Sequence, residues 1–263
     1  MTPRGCKIEV AMPYWQVHFL NARHALTGVM PEIRAAVAES VALVASHAEL
    51  PDFDVVVRAE DGIPDWGVLA HSPAPGVVEL ALSPSRFDSA LVVRRMVRAL
   101  FLILRGDRPG YGRSLGEALV SEGLAGHFVQ AVLGGRPDPW DATPLTAGVA
   151  KRAMTEWAWL DYDRALWFEG RGNIRKWAGY GLAHRLVAEH LARSDGADVL
   201  SLAAVSAEAL RPAMRRLSGA DTEPEVEADA EPGDGPARKP ETAEGEAPEQ
   251  GAPEQGGAAP VTS

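Results

Sequence analysis

The sequence predicts an α+β fold in which a small mixed sheet comes first and a helical half follows. Short runs rich in valine, leucine and aromatic residues are confined to the first third of the 263 residues. From Asp88 to Leu217 the apolar residues instead recur with the 3.6-residue period of amphipathic helices. No internal repeat or linker interrupts this part of the chain. We therefore predict one folded domain over residues 1–218 and a separate tail over 219–263.

The extended elements alternate with one early helix. Pro31 is well placed in the first turn of a helix over residues 32–47, because proline has no N–H to donate there. Two β-rich runs flank His71-Ser-Pro-Ala-Pro-Gly76, which indicates a hairpin or a paired edge. The predicted strands are Trp15 to Leu20, Phe53 to Arg58, Trp66 to Ala70 and Val77 to Leu82.

The helical half has clear start and stop signals. Asp88 is predicted to cap a long helix that ends near Arg105. Ser114 and Glu117 have the spacing of a capping box for the next helix, which Gly134 would end. Further helices are predicted over Thr146 to Ala158, Trp177 to Arg193 and Val199 to Leu217, the last broken or kinked at Pro212.

The negative charge of the chain is concentrated in the tail. Residues 219–263 carry 12 acidic and 2 basic residues, whereas residues 1–218 carry 24 of each. The tail is rich in Ala, Pro, Glu and Gly and has no aromatic residue, so burial cannot offset the entropy cost of folding it. We expect it to be disordered, with a role in solubility or in docking a basic partner. The electrically neutral folded part disfavours nucleic-acid binding.

Cysteine usage and hydropathy indicate a cytoplasmic protein. Cys6 is the only cysteine, so no intrachain disulfide can form. The longest strongly apolar run, Ala99 to Leu104, is far too short to span a membrane, and the N-terminal residues lack the apolar core of a signal peptide. We therefore predict no membrane partner.

One carboxylate occupies a position that should be buried. Glu122 falls within roughly 40° of the apolar stripe of its helix, on which Leu115, Leu119 and Val129 also lie. An ionised carboxylate out of water costs several kcal/mol unless it is paired, bound to metal or protonated. Glu122 therefore requires a partner.

Several stretches, taken in order, resemble a bacterial family of predicted zinc-dependent proteases with the zincin-like fold. The resemblance covers most of residues 16–217. The stretches are Phe53-Asp-Val-Val-Val57, the strand from Val77 to Pro84, Ala118-Leu-Val-Ser-Glu-Gly-Leu-Ala125, Asp161-Tyr-Asp163 before Trp167-Phe-Glu-Gly170, and Trp177-Ala-Gly-Tyr-Gly-Leu182. The resemblance implies that the long helix is the active-site helix and that Glu122 is a carboxylate zinc ligand.

The zinc-binding motif of such families is replaced in this chain. The resemblance places His-Glu-x-x-His on residues 98–102, where Arg98, Ala99 and Leu102 stand at the three chemical positions. Arginine has no lone pair for a metal, and alanine and leucine have no donor atoms, so these residues cannot run zinc-dependent hydrolysis. No histidine of the chain begins another copy of the motif. We therefore expect this to be a vestigial active-site helix with no metal and no cofactor.

We hypothesise that Arg98 replaces the lost zinc as the partner of Glu122, through a bidentate ion pair. Arg94, Arg98 and Arg105 lie within about 40° of one another on the long helix, whereas Arg95 lies to one side. In a second interpretation, Arg98 faces solvent and the alignment with the family's motif is wrong by one helical turn.

Two further residues are candidates to line the cleft. They are Arg164, at a position where the family tends to have histidine, and Tyr180.

The sequence thus favours a pseudopeptidase, a protease-like protein without catalysis, with a binding or regulatory role toward an unidentified protein or peptide. One alternative is an active metallohydrolase that uses Glu122 in a non-standard ligand set. Another is a purely structural or interaction domain. The seven tryptophans, several between Trp140 and Trp177, are expected in the core or as walls of a groove.

Overall fold

The computed structural model describes residues 12–63, 65–106, 113–146 and 148–219. Four strands form one mixed sheet in the order β1-β2-β4-β3, with β1, β2 and β4 parallel and β3 antiparallel to β4. The strands are β1 (Trp15–Leu20), β2 (Phe53–Ala59), β3 (Val68–Ala74) and β4 (Val77–Leu82). A small mixed sheet followed by helices confirms the predicted α+β class.

The connections explain which strands are parallel. Parallel neighbours need a crossover, and helix α1 (Met30–Ala45) provides it between β1 and β2. The β3–β4 connection is a tight hairpin in which Gly76 has a φ of 69°, a value that glycine adopts without strain. Pro73 lies in β3 beside a register shift between His71 and Ala74. Proline cannot donate to the ladder, so β3 suits an edge of the sheet.

The remaining helices stack outward from the sheet. Their bounds are α2 (Ser89–Gly106), α3 (Leu115–Leu133), α4 (Val149–Glu156), a single π-helical turn (Ala165–Glu169), α5 (Ala178–Leu191) and α6 (Ala207–Ser218). Helix α2 packs against β3, β4 and α1 and also against α3, so it lies between the sheet and the helical half. Helix α3 packs closely against α5, and α6 packs against α3, α4 and α5.

Glycine permits the close approach of α3 and α5. A Cβ atom on Gly123 would lie 2.2 Å from the carbonyl oxygen of Ala183, so any larger residue would push the two helices apart. Gly123 directly follows Glu122 in the sequence. The backbone that carries the buried carboxylate is therefore held tightly against α5.

Two details of the helical half differ from the prediction. Ser114 caps α3 by accepting the Glu117 N–H at 3.3 Å, but the Glu117 carboxylate turns to Arg105 and to the Ala207 N–H instead of closing a capping box. Glu117 is buried, and the buried guanidinium of Arg105 provides the counter-charge that its carboxylate needs. The Ala207 N–H bond to Glu117 also marks the start of α6, eight residues later than predicted, and Pro212 lies inside the helix.

The predicted disordered tail lies outside the described residues, apart from Gly219, which ends α6 with a φ of 71°. Among the described helices, none is both long enough and apolar enough to cross a membrane. The cytoplasmic location stays a prediction.

Candidate functional site

Glu122 lies on α3 with only 6% of its surface exposed, and arginines bind both of its carboxylate oxygens. Arg98, on α2, donates from Nε at 3.2 Å and from Nη2 at 3.0 Å to Oε2. Arg164, from the turn before α5, donates from Nη2 at 2.6 Å to Oε1. The structure therefore satisfies the buried carboxylate with two cations from two different elements.

Arg98 has a second carboxylate partner in Asp141. Its Nη1 donates to Oδ2 at 2.9 Å and its Nη2 to Oδ1 at 3.3 Å, the parallel fork geometry of an arginine–carboxylate pair. Asp141 is 3% exposed. It approaches α3 where a Cβ atom on Gly126 would lie 2.7 Å from Oδ2, so this glycine leaves room for the carboxylate. We call Arg98, Glu122, Asp141 and Arg164 the ion-pair cluster.

The structure agrees with the inferred pairing of Arg98 with Glu122 but differs in the geometry of that pair. Arg98 is 5% exposed and faces Glu122, so the interpretation in which it faces solvent is wrong. It contacts a single carboxylate oxygen of Glu122, however, and makes its two-oxygen pair with Asp141. Sequence reasoning missed Asp141 and the contact of Arg164 with Glu122. Both residues lie in irregular segments, where no helical period relates a residue to a neighbour in space.

The pKa values of the cluster follow from burial and from its ion pairs. Burial alone would raise the pKa of Glu122, but Arg98 and Arg164 together lower it below its usual value. Burial raises the pKa of Asp141 to about 6 despite Arg98, since Asp138 and Glu122 add negative charge. Burial alone would lower the pKa of Arg98, but the charges of Asp141 and Glu122 outweigh it, so the pKa is raised above its usual value. Glu122 is thus firmly ionised at neutral pH.

Glu122 should stabilise the fold most above pH 4.5. Its folded-state pKa lies below the ordinary value of 4.5, so its contribution is complete above that value and is lost as the pH falls further. We expect the difference in free energy of unfolding between the wild type and Glu122→Gln to be constant from about pH 7 to 8 and to be smaller below about pH 4.5 than at pH 7. Urea unfolding of both proteins across this range measures it. Glu122 helps to raise the pKa of Asp141, so Asp141 titrates differently in the two proteins, and the test compares the values at pH 7 to 8 with those below pH 4.5. A difference that is larger in acid would contradict the assignment.

The other predicted site residues lie around the cluster. The Tyr180 ring is partly buried, lies 5.2 Å from the Arg98 guanidinium and makes an edge contact with Phe168. Burial, and then the charge of Glu122, raise the pKa of the Tyr180 hydroxyl. Ala99 is buried in the core, and Leu102 is partly buried and packs against the core. Arg164 is half-exposed and is the member of the cluster that reaches solvent.

Two histidines form a separate pair on the α3–α5 contact. The His127 and His184 rings stack with centroids 3.9 Å apart, and His127 Nε2 lies 3.0 Å from the His184 carbonyl oxygen. Burial lowers the pKa of His184 to about 4 and also lowers the pKa of His127. His184 Nε2 contacts the Gln130 amide oxygen at 2.8 Å. Their stacking and hydrogen bonds give these histidines a role in the packing of α3 against α5.

A comparison with protein-family models bears on the second half of the chain. Residues 103–211 match the model described as "Predicted Zn-dependent protease (DUF2268)". The resemblance inferred from the sequence is confirmed over this part of the chain, which includes Glu122, Asp141 and Arg164. The match to the predicted Zn-dependent protease family begins just after Leu102, so the positions assigned to its missing histidines stay a prediction. No curated protein matches the chain.

The expectation that the chain takes no cofactor is wrong, because the matching family is described as Zn-dependent. Zinc is therefore the cofactor that the family match indicates. The residues of the ion-pair cluster nevertheless do not fit zinc. Its only metal-ligating groups are two carboxylates, and arginines already bind the oxygens of both. Across the described ranges, no group of three or more His, Cys, Asp or Glu side chains could hold a metal ion.

Proposed function

We propose that this protein is a zincin-like pseudopeptidase that acts by binding a protein or peptide partner. One observation carries the proposal, the occupation of both Glu122 oxygens by Arg98 and Arg164 in a buried setting. A zinc ligand or a general base needs a free oxygen lone pair in a site that admits a cation or a proton. Two Arg98 N–H groups fill the lone pairs of Oε2, Arg164 takes one of those on Oε1, and the two positive charges repel a metal ion.

The chemistry of the neighbouring residues supports the same function. A general base works best with a pKa near the operating pH, whereas the pKa of Glu122 is lowered by its two arginines. Arg98 stands at the position assigned to the first motif histidine and stays protonated. Ala99 and Leu102, at the other two positions, carry no group that can bind metal or transfer a proton.

An active zinc-dependent hydrolase is the second candidate, and the family match favours it. If it used Glu122, Arg98 and Arg164 would both have to leave the carboxylate. Removing one partner of a buried ion pair costs about 3 to 5 kcal/mol, which zinc binding would have to offset. The filled cluster also argues against a ligand at Glu122 itself. We therefore assign binding to the surface beside it, where Arg164 and Tyr180 are partly accessible.

A protease assay with zinc supplied tests the proposal. We expect no hydrolysis of casein or of a mixed peptide library above the rate in buffer, and the same result for Glu122→Gln. Arg185→Ala is the matched control, because this arginine is exposed on α5, away from the cluster. Zinc-dependent hydrolysis by the wild type and by Arg185→Ala that is lost in folded Glu122→Gln would overturn it.

A further inference from the structure

Beside the ion-pair cluster lies Arg95, a cation that pairs with no carboxylate of the described residues. The other arginines of α2 each contact a carboxylate, Arg94 that of Asp138, Arg98 those of Glu122 and Asp141, and Arg105 that of Glu117. Arg95 makes no hydrogen bond or ion pair with any residue in the described ranges, and its Nε atom is buried without a hydrogen-bond partner. A buried donor left in this state costs free energy unless something outside the chain satisfies it.

Tryptophan rings hold the Arg95 guanidinium in place. Its central carbon lies 3.7 Å from the centroid of the Trp140 ring and 5.7 Å from that of Trp66. Trp66 in turn stacks on Trp177 with centroids 5.3 Å apart. The Trp140 indole nitrogen is a second buried donor for which the described part of the chain provides no hydrogen-bond partner. Two unsatisfied donors thus lie in one aromatic cluster, whose Trp66 and Trp177 are only partly buried and so reach solvent.

The local charge balance also requires an anion. The ion-pair cluster is neutral, with two arginines and two carboxylates, and the adjoining Arg94–Asp138 pair is neutral as well. Arg95 therefore adds one uncompensated positive charge. Burial, and then repulsion from Arg98, lower the pKa of Arg95 to about 10, as expected for a cation short of counter-charge.

We propose that Arg95, beside the contacting rings of Trp66 and Trp140, binds a carboxylate of a protein or peptide partner. This inference rests on the proposed binding role and not on the absence of hydrolysis. A carboxylate brings one negative charge, which balances the site, and its two oxygens match the arginine fork. A phosphate carries more charge than the site lacks. The indole walls suit the carbon chain next to a carboxylate, which inorganic phosphate does not have.

Indole N–H resonances of the ¹⁵N-labelled full chain report on the site. N-acetylglycine supplies a peptide-like carboxylate, N-acetylglycinamide is the matched uncharged control, and inorganic phosphate tests the other anion. We expect N-acetylglycine to shift the Trp140 resonance saturably, and Arg95→Met to weaken binding by about tenfold or more, since charged hydrogen bonds are lost. Trp140→Phe assigns the resonance, and Arg95→Gln replaces Arg95→Met if the latter does not fold.

Three outcomes would overturn the inference. Equal shifts with N-acetylglycine and its amide, or with the wild type and a folded Arg95 variant, would exclude a carboxylate site at Arg95. Tighter binding of phosphate than of N-acetylglycine would assign the site to a different anion. Saturable binding of N-acetylglycine by a chain that also hydrolyses casein would instead support the site and reject the pseudopeptidase, so the two failures are distinguishable.

Discussion

Replacing Arg98 with alanine is expected to lower the free energy of unfolding by about 3 to 5 kcal/mol, because Glu122 and Asp141 would remain buried without their shared cation. Arg98 is 5% exposed and donates to both carboxylates and to the Glu122 carbonyl oxygen at 2.9 Å. Arg164 would still contact Glu122, but Asp141 would lose the arginine that pairs with it. Urea denaturation at pH 7 measures the loss.

The control for this variant has to be an arginine with no buried contact. Arg95 is unsuitable, since it packs against Trp140. Arg185→Ala removes an exposed helical arginine of the same size, so it should change stability by less than about 0.5 kcal/mol. A double-mutant cycle with Glu122→Gln then isolates the coupling between the two side chains. Similar losses for Arg98→Ala and Arg185→Ala would show that the cluster contributes nothing to stability.

Replacing Arg105 with alanine is expected to have a comparable effect, about 3 to 5 kcal/mol. Arg105 is 1% exposed and joins three segments. It donates to Glu117 Oε2 at 3.1 Å and to Ser121 Oγ at 2.8 Å, both on α3, and to the Ala203 carbonyl oxygen at 3.1 Å, just before α6. Its loss would strand the buried Glu117 and leave the start of α6 with fewer contacts. Thermal and urea unfolding both report this loss.

The contrast with a surface pair makes this prediction specific. The side chains of Arg211 and Glu208 lie 3.1 Å apart on α6 and are 38% and 64% exposed, and ion pairs that are exposed to this degree contribute at most about 1 kcal/mol. Arg211→Ala should therefore cost far less than Arg105→Ala. In Glu117→Gln the amide oxygen can still accept the Ala207 N–H, so its loss should be intermediate. An Arg105→Ala loss no greater than that of Arg211→Ala would contradict the structural role.

Helical periodicity allowed part of the site to be predicted. It placed Glu122 on the buried stripe of α3, and it placed Arg94, Arg98 and Arg105 on one stripe of α2 with Arg95 to one side. All three arginines of that stripe contact carboxylates, whereas Arg95 contacts none among the residues that the structure describes. The same reasoning predicted the order of strands and helices, because alternation and the 3.6-residue period are local properties of the chain.

The remaining partners depend on contacts between segments that are distant in sequence. Asp141 and Arg164 lie in irregular segments, so nothing in their local pattern relates them to α2 or α3. The start of α6 could not be predicted from its own sequence either, because Glu117, 90 residues earlier, binds the Ala207 N–H. The rings beside Arg95 belong to Trp66 and Trp140, one before and one after α2 in the sequence, so local patterns could not predict this contact.

Zinc content tests most directly whether arginines have taken the place of metal at Glu122. Wild type and Glu122→Gln would be dialysed against zinc and then buffer, checked for folding by circular dichroism, and analysed for zinc per chain. We predict the same zinc content in both, whatever its value, because both Glu122 oxygens are bound by arginines. Stoichiometric zinc in the wild type that is lost in folded Glu122→Gln would contradict this.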